Sequence, residues 1–316
     1  MTGQKTERLP ATEEGVLRAA LLLAKGRLVA FPTETVYGLG ADARDDAAVA
    51  AIFAAKGRPG YNPLIVHVAD IAAARQIASF SDTAERLAAS FWPGPLTLVL
   101  PLKPDAGLSG KVTAGLPTVA VRVPANDLAQ RLLAAFGGPV AAPSANPSGK
   151  VSPTTAEHVL AGLAGRIAAV LDGGACEIGV ESTIVGLDPE PVLLRPGGLP
   201  AEDIERCLGR ILRGLDGARL PNAPGQLASH YAPAAALRLN ATEAREGEAM
   251  LGFGDVAGDM TLSASGDLHQ AAGCLFDRLR ALDATGVHAI AVAPVPDHGL
   301  GRAINDRLAR AAAPRE

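Results

Sequence analysis

Short apolar runs alternate with helical apolar patterns along most of this 316-residue chain. The first helical pattern covers residues 11–26 and ends at Gly26, because glycine readily adopts the left-handed conformation of a helix C-terminus. The apolar run 27–32 follows and stops at a proline, which is typical of a short buried strand. Since this alternation continues, the sequence predicts an α/β fold. Further strands are predicted at 63–70, 95–102, 118–124, 139–146, 168–171, 182–187 and 192–195, and further helices at 47–56, 82–91, 127–137, 155–163 and 201–209.

The chain is longer than one typical domain of about 100–200 residues, so two domains are expected. The alternating pattern of the first domain ends near residue 213. The segment that follows, 214–233, is rich in proline and glycine and has no sustained period, which indicates an ordered linker. The remaining residues predict a small βα domain, with strands at 236–241, 249–255, 260–265 and 288–295 and helices at 268–283 and 300–313.

The overall composition limits the cellular setting and the partners of the chain. A net charge of −4 argues against a broad basic surface that coats nucleic acid, so any anion must bind at a local site. The N-terminus has no apolar signal region, and no run of about 18 apolar residues follows, so we expect a cytoplasmic protein without a membrane span. The three cysteines are widely spaced and form no zinc pattern, which fits a reduced compartment: Cys176, Cys207 and Cys274.

Glycine-rich nucleotide motifs are incomplete in this sequence. The phosphate-loop pattern is absent, because Gly149 and Lys150 are followed by valine and the upstream glycine is missing. The run 38–43 imitates a dinucleotide fingerprint, but no acidic residue lies about 20 positions further on. The G-x-G at 299–301 also lacks the rest of that fingerprint and favours a structural turn. A nucleotide site must therefore be built from other residues.

Two polar segments at predicted element ends are candidates for phosphate binding. Lys56-Gly57-Arg58 follows a helix, and its lysine supplies a compact charge while its arginine supplies a planar fork that matches two phosphate oxygens. Taken alone, however, the two cations are explained more simply as partners of the helix dipole. Ser144-Ala145-Asn146 leaves a predicted strand and exposes hydroxyl, amide and backbone N–H groups, but an ordinary turn explains it equally well.

Further polar residues occupy predicted strands or strand ends. His67 and Arg122 lie within apolar strands, and Arg195 ends another. A buried arginine needs a partner, which is either a structural carboxylate or a ligand. Similar alternatives, a structural role or a binding role, apply to hydroxyl side chains at strand ends and to one tyrosine in the linker: Thr33, Thr35, Ser182, Thr183 and Tyr231.

Seven segments, taken together and in this order, resemble the YrdC domain family: FPTETVYGLG, KGRPGYNPLIVHV, FWPGPLTLVL, TVAVRVP, APSANPSG, GVESTIV and LLRPGG. PGQLASHYAP and the C-terminal GLGRAINDRLARAA extend the resemblance to the long form of the family, threonylcarbamoyl-AMP synthase. The resemblance implies a twisted mixed sheet around a deep basic concavity, followed by a smaller Rossmann-like domain. It also implies a catalytic domain at 9–213, a linker at 214–233 and a C-terminal domain at 234–316.

The resemblance further implies which residues bind the substrates. Lys56 and Arg58 are implied to be catalytic. The implied ATP-binding set is Lys56, Arg58, Asn62, Thr118, Ala142, Ser144, Asn146, Ser152, Arg195 and Tyr231. The implied L-threonine set is Thr35, His67, Arg122 and Ser182, in which Arg122 suits the carboxylate of threonine.

The implied reaction is that of a nucleotidyltransferase that joins L-threonine, bicarbonate and ATP into L-threonylcarbamoyladenylate and releases pyrophosphate. It is the first step towards N6-threonylcarbamoyladenosine in tRNA, so the product passes to the tRNA threonylcarbamoyl-transfer machinery. No nucleophilic triad is needed, because the carbamate of threonine itself attacks the α-phosphorus. Mg²⁺ is expected on the phosphates of ATP, with no protein ligand that the sequence identifies. We expect no stable binding to nucleic acid and no membrane contact.

Two alternative functions remain open at this point. A double-stranded RNA-binding module would use the same basic concavity for a duplex, although the acidity of the chain and its aromatic content of only 3 % count against it. Carbamoyl-transfer enzymes also contain YrdC-like domains, but this chain has no acylphosphatase-like segment and no zinc fingers.

Overall fold

A computed structural model describes residues 5–188, 190–214 and 230–314, which form an 11-stranded mixed sheet and a 4-stranded sheet. Most of the predicted linker, residues 215–229, therefore lies outside the described residues. The strands of the large sheet are β1 (Glu7–Leu9), β2 (Val29–Phe31), β3 (Gly38–Asp42), β4 (Ile65–His67), β5 (Leu96–Pro101), β6 (Thr118–Arg122), β7 (Val140–Ala141), β8 (Ala169–Leu171), β9 (Thr183–Gly186), β10 (Val192–Arg195) and β11 (Arg213–Gly214). The helices of this part are α1 (Glu13–Ala24), α2 (Asp46–Lys56), α3 (Ile71–Ile77), α4 (Asp82–Phe91), α5 (Gly110–Thr113), α6 (Asp127–Phe136), α7 (Ala156–Leu163) and α8 (Ala201–Leu208).

The large sheet has the strand order β1-β8-β2-β3-β7-β4-β6-β5-β9-β10-β11, with both parallel and antiparallel neighbours. This confirms the mixed α/β class, and each predicted strand and helix overlaps an observed element. The prediction missed the short elements β1, β11, α3 and α5. It also missed β3, because its sequence GLGAD resembles a glycine motif rather than a strand. A Cβ at Gly40 would lie 2.9 Å from the Phe31 ring and 3.0 Å from a Val140 methyl, so close packing explains this glycine.

The two faces of the large sheet have different roles. In β5, Leu96, Leu98 and Leu100 pack into the main core beneath the helices, whereas Thr97 and Val99 alternate to the opposite face. A small apolar cluster covers the middle of that opposite face: Ile65, Val99, Ala120, Ile184 and Leu194. Outside this cluster, the same face carries polar residues such as Thr97.

Four strand ends bring polar residues to one edge of this face. β4 and β6 are parallel and pair His67 with Arg122. Because β5 is antiparallel to β6 and parallel to β9, Ser182, which directly precedes β9, lies at the edge where β6 ends. β10 is antiparallel to β9 and ends in Arg195 at the same edge. The topology therefore gathers residues that are far apart in sequence.

The small sheet contains only parallel pairs and has the order β12-β15-β13-β14. Its elements are β12 (Ala236–Arg238), β13 (Glu248–Gly252), β14 (Met260–Thr261), α9 (Leu268–Asp283), β15 (Ala289–Val292) and α10 (Leu300–Ala312). The backbone N–H of Gly299 donates to Glu202 Oε1 at 3.1 Å, and a Cβ at Gly301 would lie 1.9 Å from the Pro296 carbonyl oxygen. This G-x-G is a tight structural turn. No helix of the described part of the chain is long and apolar enough to cross a membrane.

The packing around Gly197 predicts a specific loss of stability. A Cβ at this position would lie 2.3 Å from the Glu181 carbonyl oxygen and 2.4 Å from backbone atoms of Ser182 and Thr183. Since backbone must move to accommodate it, we expect Gly197→Ala to lower the free energy of unfolding in a urea titration by about 1–3 kcal/mol. Gly110→Ala is the control, because its Cβ would meet no atom within 4 Å. Equal effects of the two substitutions would contradict this account.

Candidate active site

A pocket lies between the polar edge of the large sheet and the segment that contains His230 and Tyr231. The space inside it, including open solvent at its mouth, is about 530 Å³. Nine of the residues predicted for the site line it: Thr35, Arg58, His67, Arg122, Ala142, Ser144, Ser182, Arg195 and Tyr231. The other predicted residues, Lys56, Asn62, Thr118, Asn146 and Ser152, lie outside this lining.

Lys56 joins the two phosphate-binding candidates to each other. It ends α2, where Gly57 adopts the left-handed conformation with φ 63°. Its buried ammonium donates to the Ser144 carbonyl at 2.5 Å and also to the Asn146 carbonyl. The helix-dipole explanation therefore does not describe Lys56, whose charge is directed across the site to another loop.

Arg58 organises the short loop that leads into β4. Its Nη2 donates to the Pro63 carbonyl at 3.0 Å and its Nε to the Asn62 carbonyl at 3.4 Å. The Asn62 side chain is 0 % exposed, and neither its amide oxygen nor its amide nitrogen has a hydrogen-bond partner within the described residues. Thr118 begins β6 two residues before Ala120, which pairs with Ile65 in the strand that follows this loop. Asn62 and Thr118 thus belong to the amino-terminal ends of β4 and β6.

The cations at this end of the site are held in an unfavourable environment. Burial lowers the pKa of Lys56 well below its ordinary value, and the charge of Arg58 lowers it further. Burial likewise lowers the pKa of Arg58 to about 10, with a smaller contribution from Arg195. Because both cationic forms are disfavoured, an anion that enters the pocket would stabilise them.

The Ser144–Asn146 loop is fixed by its own backbone. The Asn146 amide nitrogen donates to the carbonyls of Pro147 at 2.9 Å and Lys150 at 2.8 Å, which leaves Oδ1 buried and without a hydrogen-bond partner among the described residues. The backbone N–H of Ser148 donates to the Lys56 carbonyl at 2.8 Å. The loop is therefore held in one conformation, in which Asn146 Oδ1 can still accept a hydrogen bond.

Arg122 occupies the carboxyl-terminal end of β6 and meets a structural carboxylate, which is one of the two kinds of partner that the sequence left open. Its Nη2 lies 2.7 Å from Glu34 Oε1, the structural carboxylate, but neither atom has a hydrogen-bond partner among the described residues, so this contact is an ion pair without hydrogen-bond geometry. Its Nη1 donates to Thr35 Oγ1 at 2.9 Å, and Thr35 Oγ1 lies 2.8 Å from Thr33 Oγ1. Glu34 was not among the predicted site residues, although an acidic residue that follows a buried apolar strand is a signal that could have identified it.

Arg195 links the ATP set to the threonine set. Its Nη2 donates to the Ser182 carbonyl at 2.9 Å and lies 3.2 Å from Ser182 Oγ. Ser182 Oγ in turn lies 2.7 Å from Thr97 Oγ1 on β5. The two predicted sets therefore meet at this residue pair rather than forming separate sites.

Ser152 and Glu181 connect the pocket to the small domain. Ser152 Oγ donates to Glu181 Oε1 at 2.5 Å, while Glu181 Oε2 accepts from Arg307 Nε at 2.7 Å. Glu181 lines the pocket, but neither Glu181 nor Arg307 was among the predicted site residues. Glu181 stands beside Ser182 in GVEST, but only the tertiary structure brings Arg307 to it.

His230 and Tyr231 cover one side of the pocket. Tyr231 has φ 63°, its ring stacks on Phe276 at 5.8 Å between centroids, and its hydroxyl is buried with no hydrogen-bond partner among the described residues. The N–H of Ala232 donates to the Gly149 carbonyl at 2.9 Å, which attaches this segment to the Ser144–Asn146 side of the site. A buried phenol without a partner is suited to donate to a ligand.

The described part of the chain contains no group of three or more His, Cys, Asp or Glu residues that could hold a metal ion. The two carboxylates near the pocket, Glu34 and Glu181, are each paired with an arginine. The donor set around the pocket therefore suits an anionic ligand better than a bare cation.

Comparisons with known proteins identify the family. The profile of the Sua5/YciO/YrdC family, described as "Telomere recombination", matches residues 21–197, and the profile "Threonylcarbamoyl-AMP synthase, C-terminal domain" matches residues 199–313. The chain belongs to the threonylcarbamoyl-AMP synthase family. A threonylcarbamoyl-AMP synthase of Bacillus subtilis is 45 % identical over 97 % of this chain and 95 % of its own length. A second family member, from Pyrococcus abyssi, is 44 % identical over 95 % of this chain and 94 % of its own.

Solved structures agree with this family assignment. The crystal structure of Pyrococcus abyssi Sua5 complexed with L-threonine matches with a TM-score of 0.88 and 41 % identity, over 97 % of both chains. Escherichia coli YciO matches with a TM-score of 0.56 and 23 % identity, over 61 % of this chain and 96 % of its own, which shows a shared fold for the first domain. The two-domain architecture is thus that of long-form members of the threonylcarbamoyl-AMP synthase family.

The environment of His67 predicts how stability depends on pH. Burial and the charge of Arg122 lower its pKa from 6.5 to about 3. Between these values the unfolded chain binds one more proton at His67 than the folded chain, so stability present above pH 6.5 is lost as the pH falls towards 3. We expect His67→Gln to reduce the loss of unfolding free energy between pH 7 and pH 5 by about 2 kcal/mol, measured by urea titration.

The exposed His269 provides the control for this measurement. His269→Gln should leave the difference between pH 7 and pH 5 unchanged. If His67→Gln retained the full difference of the unsubstituted protein, the neutral, buried state of His67 would be disproved.

Proposed function

We propose that this chain is a threonylcarbamoyl-AMP synthase that forms L-threonylcarbamoyladenylate and pyrophosphate from L-threonine, bicarbonate and ATP. The observation that carries the proposal is one continuous pocket in which Arg58 and Ser144 line one part and Arg122 and Thr35 another. Two relatives named threonylcarbamoyl-AMP synthase match this chain along almost their whole length. The polyphosphate of ATP and the carboxylate of an amino acid are both anions, which suits this lining.

The nucleotide is proposed to bind along the amino-terminal ends of β4 and β6 and the Ser144–Asn146 loop. Lys56 and Arg58 would neutralise phosphate oxygens, and the partnerless amide of Asn62 would serve the nucleotide. The proposed contacts are Lys56, Arg58, Asn62, Thr118, Ala142, Ser144, Asn146, Ser152, Arg195 and Tyr231. Buried polar atoms without partners at Asn62, Asn146 and Tyr231 support this placement.

L-Threonine is proposed to bind at the carboxyl-terminal ends of β4 and β6, with Thr35, His67, Arg122 and Ser182. Arg122 would hold its carboxylate, because the guanidinium presents several donors in a fixed plane. His67 stays neutral near pH 7, so its Nδ1, which has no hydrogen-bond partner among the described residues, can meet a polar substrate group without adding charge. The Pyrococcus abyssi structure carries L-threonine in a chain of closely similar fold.

The chemistry then depends on positioning and charge stabilisation. The threonine nitrogen bonds to the carbon of bicarbonate, and a C–O bond breaks to release water and give a carbamate. An oxygen of the carbamate then attacks the α-phosphorus of ATP, and the bond from that phosphorus to the pyrophosphate oxygen breaks. Lys56 and Arg58 would stabilise the charge that shifts towards the leaving pyrophosphate. Mg²⁺ is proposed to arrive with ATP and to be held by phosphate oxygens and water. Tyr231 would close the pocket and keep water from the product.

Other parts of the proposal extend beyond the pocket. We propose a cytoplasmic setting and delivery of the product to tRNA threonylcarbamoyl-transfer machinery. The domain limits 9–213, 214–233 and 234–316 remain a prediction.

Substrate dependence of pyrophosphate release tests the function. We expect release only when threonine, bicarbonate and ATP are present together, because the nucleophile forms from the first two. Mass spectrometry of the adenylate should give the mass of threonylcarbamoyl-AMP. A rate that is unchanged without threonine would overturn the proposal, and a carbamoyl adenylate without threonine would favour a carbamoyl-transfer enzyme. Salt-sensitive binding of double-stranded RNA with no ATP dependence would favour an RNA-binding module.

Substitution of Lys56 tests its place in the reaction. We expect Lys56→Ala to lower the rate of pyrophosphate release by about 100- to 1,000-fold, as is typical when one charge-stabilising contact is removed. Lys111→Ala is the matched control, because Lys111 is half exposed and pairs only distantly with Asp46, at 3.8 Å. Circular dichroism should show both variants folded. A normal rate in folded Lys56→Ala protein would remove Lys56 from the catalytic machinery.

A further inference from the structure

The small domain places one fully buried arginine against the pocket of the large domain. Arg307 lies on α10 and is 0 % exposed. Its Nε donates to Glu181 Oε2 at 2.7 Å, and its Nη1 donates to the Pro196 carbonyl at 3.0 Å. Its guanidinium also lies over the Tyr231 ring, 5.1 Å from the centroid. One side chain thus contacts both domains and the segment between them.

Two of these contacts are with residues that line the pocket, Glu181 and Tyr231. Glu181 uses its other oxygen to accept from Ser152 Oγ, so the bonds run continuously from Arg307 through Glu181 to Ser152. The ring of Tyr231 contacts both the guanidinium of Arg307 and the ring of Phe276, and these contacts limit where its hydroxyl can point. The position of Arg307 therefore determines the geometry of two groups proposed to contact ATP.

The charge of this contact is as important as its shape. Burial would raise the pKa of Glu181, but the charges of Arg307 and Arg195 and the hydrogen bond from Ser152 outweigh burial and lower it. Three further titratable groups interact electrostatically with Glu181 or Arg307: His230, Tyr231 and Asp306. Without Arg307, the buried carboxylate of Glu181 would have less positive charge to balance it. Its negative charge would then repel a polyphosphate in the pocket.

We propose that Arg307 is a positioning residue for the nucleotide, through which the C-terminal domain completes the ATP site by holding Glu181, Ser152 and Tyr231. This rests on the proposed function, because the nucleotide is taken to be ATP. A role in docking the two domains alone would change stability without a selective effect on ATP.

Arg307→Met tests the proposal in the full-length protein, with Arg302→Met as the matched control. Arg302 lies on the same helix and also pairs across the domains, at 3.5 Å from Glu202, but both side chains are partly exposed and neither lines the pocket. We expect Arg307→Met to raise the KM for ATP on the order of 10- to 100-fold and the KM for threonine much less. Arg302→Met should change neither. An unchanged KM for ATP in Arg307→Met, or equal increases for both substrates, would overturn the proposal.

A double substitution separates positioning from folding. Glu181→Gln with Arg307→Met removes the unpaired charge and keeps an oxygen that accepts from Ser152, so this variant should fold even if Arg307→Met does not. We expect its KM for ATP to be at least about threefold lower than that of Arg307→Met, or, if the single variant is unfolded, to remain within about tenfold of the unsubstituted protein. The role of the Arg307–Glu181 pair would be overturned if the KM for ATP of the double variant were not lower than that of Arg307→Met. If the single variant is unfolded, a KM for ATP more than about tenfold above that of the unsubstituted protein would overturn it.

Calorimetric titration with ATP alone keeps this proposal distinct from the proposed function. If the unsubstituted protein releases no pyrophosphate when threonine, bicarbonate and ATP are all present, the proposed function fails. If it is active but Arg307→Met binds ATP as tightly as the unsubstituted protein, only the role of Arg307 fails.

Discussion

The burial of cationic side chains around one pocket is the constraint on which the rest of this structure depends. Lys56, Arg58, Arg122, Arg195 and Arg307 are all buried, and each requires compensation because a desolvated charge is costly. Backbone carbonyls serve Lys56 and Arg58, whereas carboxylates serve Arg122 and Arg307. Among the described residues, an anionic ligand would therefore be the main negative partner of Lys56 and Arg58, whereas at Arg122 it would share the guanidinium with Glu34. Burial lowers the pKa of Lys56 and of Arg58, and the charge of a neighbouring arginine lowers each further.

The same constraint gives the C-terminal domain a physical role. An isolated catalytic domain would leave Glu181 without Arg307 and Tyr231 without the ring of Phe276 beneath it. The small domain therefore supplies side chains that hold residues of the pocket wall, in addition to its own core. Gly299, whose N–H donates to Glu202, and Arg280, whose guanidinium donates to the Val151 carbonyl, attach it to the large domain at two further places. These contacts make the two domains one functional unit.

The α/β class followed from the alternation of periods in the sequence, the mixed sheet followed from the family resemblance, and most elements were predicted at nearly their observed positions. Strand β3 was missed because two glycines conceal its apolar period, and only the proximity of Phe31 and Val140 explains them. The motif segments pointed to most of the residues that line the pocket. Glu181 and Arg307 were missed because their importance lies in their contact, and they are 126 residues apart in the chain.

The sequence by itself determined the alternating elements, the family resemblance and the residue types that could bind anions. It could not decide between a helix-dipole role and a phosphate-binding role for Lys56, nor between a structural carboxylate and a ligand for Arg122. Only the tertiary structure decided that Lys56 reaches the Ser144–Asn146 loop and that Arg122 meets both Glu34 and Thr35. The physical reason is that periodicity depends on near neighbours along the chain. The charge balance of a buried group depends instead on residues that the sheet order brings together from distant segments.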